Sequence, residues 1–127
     1  MPNTIDDPWE DLIVSILSVN NYSLEKTYST VETLRREGLF DPKNLMRWTI
    51  KEIEIRLRRG GYDRGDYLST LFALRIASLG KFVASDGIQE CERILRKGDA
   101  TEIRQYLSPV RGIGPRVLAN YFLLRRA

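Results

Sequence analysis

Gly112-Ile113-Gly114 lies between Arg111 and Arg116, and Pro115 follows it directly. Residue types in this order can hold a phosphate. The two glycines let the backbone turn tightly and come close to a ligand. Proline suits the first position of a helix, so the N–H groups of Gly112, Gly114 and the first turn after them have no intrahelical partner. Donors of that kind, at the positive end of a helix, bind anionic oxygen. Arg111 and Arg116 can add charge-assisted contacts, while Ile113 is placed to plug the turn into a core between two helices.

A second basic group surrounds another glycine turn. Arg56, Arg58, Arg59 and Arg64 flank Gly60-Gly61, while Arg125 and Arg126 join Arg111 and Arg116 in the group of the last segment. Of the 20 basic residues in the chain, 15 are arginines, although the net charge is only +3. Arginine meets phosphate through a planar, bidentate fork that lysine lacks. Most carboxylates stand elsewhere, in Asp6, Asp7, Glu10 and Asp11 and in helical positions such as Glu90, Glu92 and Glu102. Two arginine groups beside glycine turns point to a phosphate-contacting face; the competing reading is a solvated surface that is merely rich in arginine.

Other chemistries are excluded by composition. There is no histidine and only one cysteine among the 127 residues. That removes Ser-His-Asp and Cys-His catalysis, a histidine base, a disulfide framework, a four-thiolate zinc site and an iron–sulfur cluster held by this chain alone. Cys91 reads as a small buried apolar residue. No metal and no cofactor are expected. No apolar run approaches bilayer length, and Met1-Pro2-Asn3-Thr4 does not read as a signal peptide, so the expected compartment is the cytoplasm.

The elements that must carry these residues all read as helices, with no alternating strand. The first spans about 8–19, capped by Asp7 with Glu10 three residues on, and shows the stripe Trp9, Leu12, Ile13, Ile16 and Leu17. The second starts after Ser23 and runs to Gly38 through Leu24, Tyr28, Val31 and Leu34. A short third opens at Asp41-Pro42 and reaches Trp48. Thr49 with Glu52 forms another capping pattern and starts a helix that Gly60-Gly61 ends. A longer helix covers about 65–79, with the Arg75 stem on its buried face and Gly80 as a break or bend. Further helices cover about 87–97, 99–107 and 115–125, the second of these opened by Asp99 with Glu102. Trp9 and Trp48 both read as core. The expectation is an all-α compact orthogonal bundle of seven or eight short helices, one domain over residues 1–127, with a helix-hairpin-helix at 107–123.

The segment from Leu107 to Leu123 resembles the helix-hairpin-helix motif, and the chain resembles the endonuclease III-like DNA glycosylase superfamily. Two more stretches carry the likeness in the same order. Gly61-Tyr62-Asp63-Arg64-Gly65-Asp66-Tyr67-Leu68 is similar to a glycine-aromatic turn leading into a long helix. Pro8 to Asn20 is similar to the first helix of the barrel lobe, and Asn20 stands where the family places a polar residue that reaches into the DNA stack. The resemblance implies a six-helix barrel lobe and double-stranded DNA, intact or damaged, as partner. It marks Asn20, Arg59, Arg64, Arg111, Gly112, Ile113, Gly114 and Arg116 as DNA-binding residues.

The chain also departs from the family. Lyase-competent members carry a lysine two residues after the second hairpin glycine, where its amine forms a Schiff base with the sugar. Here that position is Arg116, whose guanidinium stays protonated. The family aspartate, the second lobe and the cluster cysteines are also expected to be absent, since no acidic residue follows Glu102. Asp63 and Asp66 could substitute as catalytic groups, but a turn and a helix start account for both. No catalytic residue is therefore assigned. Three functions stay open: a domain binding duplex backbone in base excision repair, a glycosylase- or AP lyase-related repair enzyme incomplete here or completed by a partner chain, and a non-catalytic interaction module that pairs through Tyr121-Phe122-Leu123-Leu124 of the final helix.

Overall fold

A computed structural model describes residues 7–19 and 22–126. All regular structure among them is helical: α1 (Pro8–Leu17), α2 (Leu24–Tyr28), α3 (Val31–Arg36), α4 (Pro42–Arg47), α5 (Ile50–Arg59), α6 (Gly65–Asp86), α7 (Ile88–Lys97), α8 (Ala100–Leu107) and α9 (Pro115–Arg126). The all-α bundle is as the periodicity implies. Nine helices stand among the described residues rather than seven or eight, because the second expected helix is two. Ser29 and Thr30 divide it: their hydroxyls donate to the carbonyls of Lys26 and Thr27. Such side chains compete with the helical ladder at a turn.

Two helices organise the rest. Every residue of α1 is buried, including Glu10 and Asp11. Its polar side chains tie it to three neighbours. Glu10 pairs with Arg35 of α3 at 2.7 Å, Asp11 with Arg125 of α9 at 3.0 Å, and the Trp9 Nε1 donates to Glu92 of α7 at 2.9 Å. The second organiser, α6, packs on α4 and α5. One cluster of buried side chains, from Trp9 through Tyr62 and Phe72 to Tyr121, joins both halves.

Gly80 does not break α6, which continues to Asp86. It allows α4 to come close: a Cβ there would sit 2.2 Å from the Leu45 carbonyl oxygen. The uninterrupted α6 is the helix among the described residues long and apolar enough, by length and composition, to cross a bilayer, which corrects the expectation that none is; 44% of its most apolar stretch is buried against other helices. Trp9 is core, whereas Trp48 is half-buried under the Arg56 guanidinium, 4.1 Å from its ring.

Candidate nucleic-acid interface

The hairpin joins α8 to α9. Val110 and Ile113 are buried and anchor the turn, with the Val110 N–H on Leu107 O at 3.0 Å and the Ile113 N–H on Val110 O at 3.3 Å. Ile113 is thus the expected plug, and only its backbone can meet a ligand. Gly112 has φ +94°, a left-handed value that favours glycine. It also makes room for a neighbour, since a Cβ there would lie 2.5 Å from Arg75 Cγ. Gly114 differs: its Cβ position has no atom within 4 Å. The N–H groups of Gly112, Gly114, Arg116 and Val117 have no hydrogen-bond partner among the described residues, while Leu118 starts the ladder on Gly114 O at 3.1 Å. These donors border an open hollow of about 530 Å³ lined by the glycines, Val19, Arg75 and Arg116.

A second hollow of about 450 Å³ adjoins it and shares Val19 and Arg116. Tyr22, Lys26 and Asn120 line its other sides. No carboxylate lines either hollow. Arg75, Arg111, Arg116 and Lys26 make no ion pair among the described residues, so their charges are available to an anion. A third hollow, at the α3–α4 corner, has Asp7 and Asp41 in its wall beside Arg35.

The basic group at Gly60-Gly61 is placed differently. Arg59 donates through Nε and Nη2 to Glu37 at 3.3 and 2.8 Å. Arg58 is met by Glu54, Asp63 and Asp66, and Arg56 by Glu52 and Glu37. Arg64 turns inward. Its Nη1 donates to Val19 O at 2.8 Å, and its guanidinium lies 4.6 Å from the Tyr22 ring and 5.1 Å from that of Phe72. The structure therefore gathers Gly112, Ile113, Gly114 and Arg116 at one hollow, and leaves Arg111 exposed beside Gly112 but outside its wall. It sets Arg59 against a carboxylate and Arg64 against the end of α1. Asn20 lies outside the described residues.

Lys26 and Tyr22 join the site without any motif to announce them; only folding sets them beside Arg116. Arg75 was legible as a core-facing stem but not as the wall of the hairpin. The groups considered as alternative nucleophiles or bases are otherwise engaged. Asp63 accepts from the Gly65 N–H at 3.0 Å, and Asp66 pairs with Arg58 at 3.0 Å. Burial pushes the Cys91 thiol up to about 12, so it carries no thiolate near neutral pH. In comparisons with known proteins, the chain matches no family model, no curated protein and no solved structure.

Proposed function

We propose that this chain binds duplex DNA by its phosphate backbone, as a cytoplasmic helix-hairpin-helix domain linked to base excision repair. One observation carries the reading. At the hairpin, four backbone N–H groups without a partner among the described residues, together with Arg116, border an open hollow with no carboxylate in its wall, and the exposed Arg111 precedes Gly112 just outside it. Oriented N–H groups and arginine forks are the usual donors to phosphate oxygen, and they read no base. The repair assignment rests on the resemblance of the three motifs and their order. Catalysis is not assigned: a guanidinium at Arg116 cannot form the Schiff base that a lysine would.

The test is fluorescence anisotropy on an intact duplex and on the same duplex with an abasic-site analogue, across a salt series. With about three to five phosphates engaged, the log–log slope is expected near −3 to −4. Preference for the abasic duplex supports the link to repair. Undiminished binding after joint replacement of Gly112, Gly114 and Arg116 would remove the hairpin from the reading.

A second reading has its own observation. Leu123 on α9 is 57% exposed, with Phe122 and Leu124 half-buried beside it. Tyr121, by contrast, is fully buried and belongs to the core. That narrower apolar face could pair with another copy or with a protein partner. A strictly monomeric chain in concentrated solution by light scattering would count against it.

A further inference from the structure

The carbonyls of Leu17, Ser18 and Val19, at the end of α1, are each taken by a side chain from a distant part of the sequence. Tyr62 OH donates to Leu17 O at 2.6 Å, Asn120 Nδ2 to Ser18 O at 3.1 Å and Arg64 Nη1 to Val19 O at 2.8 Å. The last carbonyls of a helix have no internal partner, and water would satisfy them at no cost in sequence. Here two donors come from the turn that opens α6 and one from α9, one helical turn beyond Arg116. The hold extends to the next helix. Ser18 Oγ lies 2.7 Å from Thr27 Oγ1 of α2. Tyr22 packs edge-on to Tyr62 with ring centres 5.0 Å apart, and Lys26 Nζ stands 5.6 Å from the Tyr22 ring. A contiguous chain of contacts thus runs from buried Tyr62 through Tyr22 to Lys26, while Asn120 fixes the same segment to the hairpin helix.

The two hollows share Val19 and Arg116, and the outer one has Lys26 and Arg116 in its wall with no carboxylate. Resting on the DNA-binding reading, we propose that Lys26 and Arg116 hold a second phosphodiester of the strand gripped at the hairpin, and that Tyr62 and Asn120 are positioning residues setting Lys26 for it. Tyr62 is fully buried and touches no ligand. Its effect on DNA must pass through the end of α1. Arg64 holds Val19 and stacks on Tyr22, so its charge belongs to the clamp and not to a phosphate.

The test reads the salt slope, which counts phosphates, for the full chain on intact duplex. Lys26→Gln is expected to make the slope shallower by about 0.9, the value of one phosphate. Tyr62→Phe keeps the ring and removes the hydroxyl that donates to Leu17 and accepts from Arg64 Nη1 at 3.3 Å, both contacts of the clamp; Asn120→Leu keeps the shape and removes the donor to Ser18. Both are expected to reproduce the slope change of Lys26→Gln, and to add nothing further when combined with it. A role in stability alone would lower the melting temperature and leave the slope of the folded fraction untouched. Either variant suffices should the other fail to fold.

An unchanged slope for Lys26→Gln overturns the second phosphate. A change for Lys26→Gln without one for Tyr62→Phe or Asn120→Leu overturns the clamp. If the unmodified chain binds no duplex at low salt, the DNA-binding reading itself fails; binding that persists with slopes unaltered in all variants defeats this inference alone.

Discussion

The two hairpin glycines do different work, and alanine separates them. At Gly112 an alanine would have to hold φ near +94° and place its Cβ 2.5 Å from Arg75 Cγ. Left-handed backbone costs an L-residue about 1–2 kcal/mol, and overpacking adds about 1–3 kcal/mol. Gly112→Ala is therefore expected to destabilise the fold by roughly 2–5 kcal/mol in chemical denaturation. At Gly114 the Cβ meets open space, so Gly114→Ala should melt as the unmodified chain does. Its methyl would instead keep a phosphate from the neighbouring N–H groups. Losing one charge-assisted hydrogen bond, about 1.5–3 kcal/mol, weakens DNA binding by roughly tenfold to a hundredfold. A Gly114→Ala chain that melts normally and binds normally would show that nothing approaches this glycine. A second residue-scale expectation concerns Glu10. Burial holds its carboxyl above the ordinary 4.5, opposed by the hydrogen bond from Arg35, and one of its oxygens has no partner. A raised folded value means that the native state takes up the proton more readily than the unfolded chain. The resulting stability is complete below the unfolded value and is lost as pH rises through the folded one. Denaturation of the unmodified chain and of Glu10→Gln, compared from neutral pH down to pH 4, should show the unmodified chain gaining on the variant as pH falls. A constant difference would mean that Glu10 is as ionisable as a glutamate in water.

At the scale of the element, Gly80 shows what spacing along one helix leaves out. A glycine within an apolar pattern reads as a break, yet α6 passes through it because α4 needs the space. Alanine would raise helix propensity by about 1 kcal/mol. It would also drive a Cβ to 2.2 Å from the rigid Leu45 carbonyl. The packing term outweighs the propensity gain, because backbone on both sides must part, so Gly80→Ala is expected to lower stability by about 2 kcal/mol or more in thermal or urea unfolding. An increase in stability would show that α4 can yield the space and that helix propensity, not close packing, governs this position. The same distinction explains what else was legible. The stripe from Trp9 to Leu17, the caps at Asp7, Asp41 and Asp99 and the hairpin plug at Ile113 depend on neighbours within one turn, and all are found where the pattern puts them. Of the three capping boxes expected, only that of Asp99 and Glu102 closes. Glu10 reaches Arg35 instead, and Glu52 reaches Arg56. A charged partner within reach outcompetes a backbone N–H that water can also serve. The end of α1 was not legible at all. Its carbonyl partners lie 45 and 102 residues away in sequence, beyond any local signal.

Across the whole molecule, the placement of charge matters more than its sum. The sequence shows two arginine groups of equal standing, and folding makes them unequal. Around Gly60-Gly61, Glu37, Glu52, Glu54, Asp63 and Asp66 close on Arg56, Arg58 and Arg59. An arginine held by carboxylates must break those contacts before it meets a phosphate, and the freed carboxylates would then repel the strand. Around Gly112 and Gly114, Arg111 and Arg116 are exposed with no carboxylate in the adjoining hollows. Each phosphate neutralised contributes about −0.9 to the salt slope, so the slope locates the binding face. Replacing both Arg111 and Arg116 by alanine is expected to make the slope shallower by about 1.8, with weaker binding to intact and abasic duplexes alike. Replacing both Arg58 and Arg59 should leave the slope as it was, with at most a small loss of stability where ion pairs go; surface pairs contribute only about 0–1 kcal/mol each. The comparison is made by anisotropy titration of the three proteins over one salt series. The reverse result, a slope that depends on Arg58 and Arg59 but not on the hairpin arginines, would move the DNA to the α5–α6 corner and leave the hairpin as a turn between two helices.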